Sequence, residues 1–528
     1  MKLRFLSIAF FIFITTIGQN GPAWDNTQVS SWPKEFTQVA IPSSLDQEVQ
    51  SAFFYAAQQE NRPLVISLHS WSANFEQKDE LALQCIQKDF NYIHPNFRGP
   101  NNTFKACGSE YVIQDIEDAI AFAIEHGKAD PQNIHIVGSS GGGHATLLTY
   151  MKSKFPIKTF SAWVPISDIE QWYYQSEGRK NKYAYHIASA TNKNNQFDKE
   201  NYSLNKEEAL RRSPIHMNTP AALRKKSKLF IYAGIHDGYT GSVPISQSLN
   251  FYNKVVLDFD SAEKEAVIPQ EDILEMVSSR NFVEEHKNTL GDREVHYKKT
   301  YKELLSVTIF EGTHECLTDI ALDQVEPEKI LAIGDSNGAH EFGWVHQLKA
   351  LRFEKLIYNT SISGNTIGFD NNGQEKLNTL RNIDRYLNEA ETALHGLDKI
   401  AIMLGTNDSK AVFENRNEEV ITNLEKLLKK IKAHPIYLKH TPQIFVISPP
   451  PCGNDTIMKA KYHGAEKRVK WLVHEFEKIA TSNECIYINV HDDLVSKWHE
   501  YAKDGIHPNI EGQKVLTKLI DALIAVPE

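Results

Sequence analysis

The chain has 528 residues, 41% of them hydrophobic and 23% charged, and a formal net charge of -10. That balance is ordinary for globular protein and excludes a disordered or low-complexity chain. The charges are well mixed with no Lys/Arg stripe, which argues against a nucleic-acid partner, because phosphate binding needs a concentrated basic face.

The first element is a leader. Lys2 and Arg4 precede an apolar run over residues 5–14, and small or polar residues follow as far as Gln19. This layout predicts a signal peptide over 1–19 and a secreted or periplasmic mature chain. The run is shorter than the roughly 18 apolar residues a membrane span needs, so no integral span is expected after cleavage. The five cysteines (Cys85, Cys107, Cys316, Cys452, Cys485) are an odd count, which leaves at least one outside any intrachain disulfide. Neither CxxC nor HExxH occurs, so no metal or other cofactor is expected.

From Arg62 onward, short β-branched runs alternate with helical patterns. Strands are expected at 64–68, 91–94, 134–137, 160–164, 229–233 and 307–310. Between 112 and 123, Ile113, Ile116, Ala119, Ile120 and Ala123 fall at helical spacing. The rhythm predicts an α/β fold with a mostly parallel sheet covered on both faces. Residues 168–228 break it. They are polar and rich in Tyr and Trp, and they read as an insertion over the functional edge of the sheet. Trp172 and Tyr173 within it are candidates for substrate binding. At Val325 the rhythm restarts, with strands expected at 330–333, 400–404, 444–448 and 486–490. The chain is therefore divided into domains 20–325 and 326–528.

In the first domain, Gly138-Ser139-Ser140-Gly141-Gly142 sits between a strand and a helix. A nucleophile on so sharp a turn is lifted off the sheet edge, and flanking glycines let neighbouring backbone approach. A serine hydroxyl needs a base, and the base needs an orienting carboxylate. Asp237 and His314 each follow a later strand, in the order that suits acid and base. His236, Glu311 and Glu315 lie beside them in structural or supporting roles. The oxyanion donors are assigned to the backbone of Trp71, after strand 64–68, and of Gly141.

The segments LHSWS, NFRGPN, GSSGGGH, AGIHDG and EGTHE together resemble the prolyl oligopeptidase-like α/β-hydrolase family, in the branch that includes carbohydrate esterases, over roughly residues 35–320. Peptidases of that family usually carry a β-propeller ahead of the hydrolase domain. The stretch between the leader and the first strand is too short for one.

In the second domain, four elements follow in order: Gly334-Asp335-Ser336, Ser363-Gly364-Asn365, Gly405-Thr406-Asn407-Asp408 and Asp504-Gly505-Ile506-His507. Ser336 reads as nucleophile, His507 as general base and Asp504 as its orienting acid. The N–H groups of Ser336 and Gly364 and the side-chain amide of Asn407 can hold an oxyanion. The set resembles the SGNH (GDSL) hydrolases over residues 328–528, and the resemblance implies a flavodoxin-like three-layer α/β/α fold and acyl-ester hydrolysis. Together the two resemblances imply an esterase with two serine sites acting on acylated carbohydrate. A peptidase fused to an SGNH esterase or lipase is the alternative.

Overall fold

The structure is a computed structural model that describes residues 32–194, 199–282 and 288–524. The leader expected over 1–19 lies outside the described residues.

The first sheet contains β1 (Thr37–Pro42), β2 (Val49–Tyr55), β3 (Arg62–Leu68), β4 (Asn91–Pro95), β5 (Ala129–Ser139), β6 (Ile157–Trp163), β7 (Lys228–Gly234), β8 (Asn288–Leu290), β9 (Arg293–Tyr301) and β10 (Leu305–Phe310). Their order is β1-β2-β4-β3-β5-β6-β7-β10-β9-β8. The middle of the sheet, from β4 to β10, is parallel. The flanks are antiparallel. The parallel strands are the near-continuous apolar runs, since both their faces are covered. Leu64, Ile66, Ile134, Ile136, Leu229 and Ile231 pack on one side under helices Glu110–His126, Gly141–Lys152 and Ser246–Phe259. Val65, Val137, Phe230 and Tyr232 face the other side. The chain leaves β3 toward β4 and returns on the far side at β5. The C-terminal ends of β3 and β5 therefore border a topological switch point, where such sheets open a crevice.

Residues 168–228 form the expected excursion, built on helices Ile169–Gly178, Tyr183–Thr191 and Lys206–Arg212. It packs over the loop after β3, where Trp71, Trp172, Tyr183 and Ile187 share an apolar cluster.

The second sheet contains β11 (Lys329–Gly334), β12 (Leu356–Asn359), β13 (Lys399–Met403), β14 (Gln443–Ile447) and β15 (Ile486–Ile488), in the order β12-β11-β13-β14-β15. Every pair is parallel. Counted from β11, this is the 2-1-3-4-5 order of flavodoxin-like sheets. Side chains alternate between faces as strand geometry requires. Leu331, Ile333, Ile400 and Ile402 meet helices Thr379–Leu394, Asn417–Ala433 and Ala465–Ser482. Ile330, Ala332, Ala401 and Met403 meet helices Trp344–Leu351 and Ile510–Ile524. The result is three layers.

The two units are joined by more than the connecting chain. Phe353, from the second, is buried in the aromatic face of the first sheet, with its ring 4.9 Å from that of Phe230. Lys228 Nζ donates to Phe353 O at 3.1 Å. Lys298 Nζ donates to Leu351 O at 2.6 Å and pairs with Glu354 at 3.1 Å.

Candidate functional sites

In the first unit, Ser140 is the hinge between β5 and the helix Gly141–Lys152. Its φ of 57° and ψ of -115° lie where L-residues rarely sit. The glycines around it are steric requirements. A Cβ on Gly138 would collide with Gly142 O, one on Gly142 with Leu68 O, and one on Gly141 would stand 2.5 Å from Trp71 N. The Gly141 and Trp71 backbones therefore meet at the switch point, as a pair of oxyanion donors requires. Gly141 also opens its helix, where N–H groups have no intrahelical acceptor.

The parallel register places the ends of β5, β7 and β10 on one edge, and with them Ser140, Asp237 and His314. His314 Nδ1 lies 2.7 Å from Asp237 Oδ2. A carboxylate only accepts, so Nδ1 carries the proton. Asp237 Oδ1 accepts from Gly238 N at 2.8 Å and Val243 N at 3.0 Å, which fixes the acid. Gly241 was not legible as a site residue. A Cβ there would collide with Asp237 Oδ1 and stand 2.6 Å from His314 Cβ, so the acid loop closes over the pair only with glycine. His236, on the acid loop, and His296, on β9, both bond Glu311, at 3.0 and 2.8 Å, and tie those two elements to the base loop. Burial works to raise the Glu311 carboxyl, but the two histidines outweigh it and hold it below its ordinary value. Glu315 accepts from Thr313 N at 3.0 Å, beside His314.

Trp172 and Tyr173 need correcting as substrate-binding candidates. Trp172 has 0% exposure, donates Nε1–H to Ser242 O at 2.9 Å and meets Trp71 edge to face at 4.6 Å. Tyr173 is buried in the same cluster. Neither ring has a free face to stack on a ligand. Their apolar bulk anchors the excursion. The exposed aromatic beside this site is Tyr239, two residues past the acid.

In the second unit Ser336 follows β11 and opens a short helix capped by Asp335, whose Oδ1 accepts from Asn337 N at 2.9 Å. Ser336 Oγ lies 3.1 Å from His507 Nε2, and His507 Nδ1 lies 2.7 Å from Asp504 Oδ2. With Nδ1–H donating to Asp504, Nε2 is left unprotonated to accept the serine proton. Asp504 Oδ1 accepts from the N–H groups of Ile506 and His507 at 3.0 and 2.8 Å. Burial would raise this carboxyl, but those bonds and the His507 ring hold it below its ordinary value.

Gly364 has a φ of +91°, which favours glycine, and its carbonyl accepts from Asn371 Nδ2 at 2.6 Å. Asn407 Oδ1 accepts from Tyr462 OH at 3.1 Å, while its Nδ2 is buried with no hydrogen-bond partner among the described residues. An unpaired buried donor costs about 1–3 kcal/mol. A developing oxyanion would satisfy it. Tyr462 and Asn371 were not legible as site residues, since no spacing links them to Asn407 or Gly364.

Among the described residues, no group of three or more His, Cys, Asp or Glu could hold a metal ion, and no helix is long and apolar enough to cross a membrane.

Residues 332–515 match the GDSL-like Lipase/Acylhydrolase family, and residues 78–271 match the Prolyl oligopeptidase family. The chain thus carries a prolyl oligopeptidase-like α/β-hydrolase domain followed by a GDSL (SGNH) domain, as the motifs implied. No curated protein sequence matches the chain. Among solved structures it is similar to Est24, a carbohydrate acetylesterase from Sinorhizobium meliloti, with 23% identity, a TM-score of 0.32 and coverage of 38% of this chain and 98% of that one. It is similar to an acylaminoacyl peptidase from Pyrococcus horikoshii, with 20% identity, a TM-score of 0.33 and coverage of 42% of this chain and 34% of that one. It is also similar to an aryl esterase from M. smegmatis, with 21% identity, a TM-score of 0.30 and coverage of 37% of this chain and 98% of that one.

Proposed function

We propose that the chain is an exported serine esterase with two independent sites, which removes acetyl groups, and secondarily methyl or feruloyl esters, from polysaccharide or oligosaccharide. The observation that carries the reading is the Ser336–His507–Asp504 relay beside the unpaired Asn407 amide. In the proposed cycle Ser336 Oγ attacks the ester carbonyl while His507 Nε2 takes its proton. The oxyanion is held by Asn407 Nδ2 and the N–H groups of Gly364 and Ser336. His507 then protonates the leaving sugar alcohol. It next activates the water that releases the acyl group from Ser336.

The same cycle is proposed for Ser140, His314 and Asp237, with Trp71 N–H and Gly141 N–H receiving the oxyanion. Export rests on the leader-like residues 1–19, and N-terminal sequencing of the protein recovered outside the cytoplasm tests it. The substrate is tested by acetate, methanol or hydroxycinnamate release from acylated polysaccharides. Full activity in the Ser140→Ala/Ser336→Ala double variant would sink the assignment.

A second reading has one specific support, the match of residues 78–271 to the Prolyl oligopeptidase family. In it the first site is a serine peptidase. Hydrolysis of a prolyl or aminoacyl chromogenic peptide that is abolished by Ser140→Ala, with p-nitrophenyl acetate a poor substrate of that site, favours it.

A further inference from the structure

Beneath the second site lies a lysine that the relay does not use. Lys410 is only 5% exposed, three residues past Asn407. Its Nζ donates to Asn371 Oδ1 at 3.1 Å, and Asn371 Nδ2 donates in turn to Gly364 O at 2.6 Å. The same ammonium stands 5.7 Å from the ring centre of Tyr462, whose hydroxyl donates to Asn407 Oδ1 at 3.1 Å. Two short chains thus run from one buried cation to the two oxyanion donors that do not belong to the nucleophile.

We propose that Lys410 is the positioning residue of this oxyanion hole, bracing the Gly364 peptide through Asn371 and the Asn407 amide through Tyr462. The positive charge polarises the Asn371 amide, so its N–H binds Gly364 O more firmly and holds the left-handed glycine in place. Asn407 is held by its acceptor end, which keeps Nδ2 free for the oxyanion. A fixed donor array needs no reorganisation when charge develops, which is where such holes gain their effect. The surroundings suit a titratable brace. Burial pushes the Lys410 ammonium down to about 8, and Lys461, whose Nζ lies 5.2 Å from the Tyr462 ring centre, pushes the same way. The buried carboxyls of Asp408 and Asp335 oppose them. The cation is present below about pH 8 and lost above it, so turnover falls on the alkaline side.

The inference rests on the esterase reading of this site. Its test uses the full chain with Ser140→Ala, so that turnover reports Ser336 alone, and p-nitrophenyl acetate as probe. Lys410→Met is expected to lower kcat about 10-fold with KM within about two-fold, and to abolish the alkaline limb near pH 8. Lys410→Arg, whose charge does not titrate in that range, is expected to recover part of kcat without restoring the limb. An unchanged kcat and limb in Lys410→Met overturn the inference and leave the esterase reading intact. Absence of Ser336-dependent turnover in the parent sinks both. Should Lys410→Met lose its folding transition, Asn371→Ala carries the test. A similar fall in kcat supports the brace, and an unchanged kcat overturns it.

Discussion

The two candidate sites place the same pair of groups at the same 2.7 Å, yet the chain assembles them in opposite ways. Asp237 and His314 are 77 residues apart and meet only because β7 and β10 lie side by side. Asp504 and His507 are three residues apart on one loop. Access differs as well. The first pair has side-chain exposures of 1% and 9%, the second 49% and 39%. One acid–base pair is a product of the whole sheet, and the helical excursion bonds the backbone of its acid loop through Trp172 and Arg179. The other is written locally and stands open. The first arrangement depends on the sheet register that brings β7 and β10 together, and the second depends on the conformation of one loop.

Substitutions can break this contrast. The largest losses are expected at the nucleophiles. Ser140→Ala and Ser336→Ala should each remove one activity by about 10⁴-fold or more and spare the other, measured with one site silenced at a time. A loss of both activities in one variant would contradict independence. The acids come next. Asp237→Asn should lower turnover by about 10⁴-fold, because an amide in place of the carboxylate stabilises the wrong tautomer of a buried imidazole. Asp504→Asn should cost about ten-fold less, since water reaches that pair. Equal losses would remove exposure as the distinguishing variable. Asn407→Ala should lower kcat of the second site by about 10²–10³-fold with KM little changed. Smallest is Trp172→Phe, which keeps one aromatic ring but loses the pyrrole half of the indole and its hydrogen bond to Ser242 O. It should cost about 1–3 kcal/mol of stability, read from denaturant midpoints, and leave KM for an acylated oligosaccharide unchanged. A large rise in KM would restore Trp172 as a substrate contact.

What could be read in advance follows the same divide. The inner parallel strands were legible because strands covered on both faces must be apolar throughout. β9 was missed because its sequence, REVHYKKTY, keeps polar side chains on a partly exposed flank, and β12 because LIYN is too short to show a period. The candidate reacting groups were legible because Ser140, Asp237, His314 and Ser336 each follow a strand, Asp504 and His507 share one short spacing near the C-terminus, and each carries a chemical type that the proposed reaction demands. The groups supporting them were not. Gly241, Asn371, Tyr462 and Lys410 act by contact across the fold, and no local pattern encodes a contact with a residue tens of positions away. The error at Trp172 has the same origin. Aromatic richness in an insertion fits a binding platform and a self-packed lid equally well, and only burial separates them.

The position of Phe353 bears on modularity. A chain with two candidate relays invites division near residue 325, but the aromatic face of the first sheet is completed by a side chain from beyond that cut. Separated halves would each present a greasy scar, Phe353 on one and Phe230 with its neighbours on the other. Deleting a buried phenylalanine costs about 3–5 kcal/mol, a large part of a domain's net stability. The fusion is therefore structural as well as covalent, and single-residue silencing within the intact chain is the sound way to assign each activity.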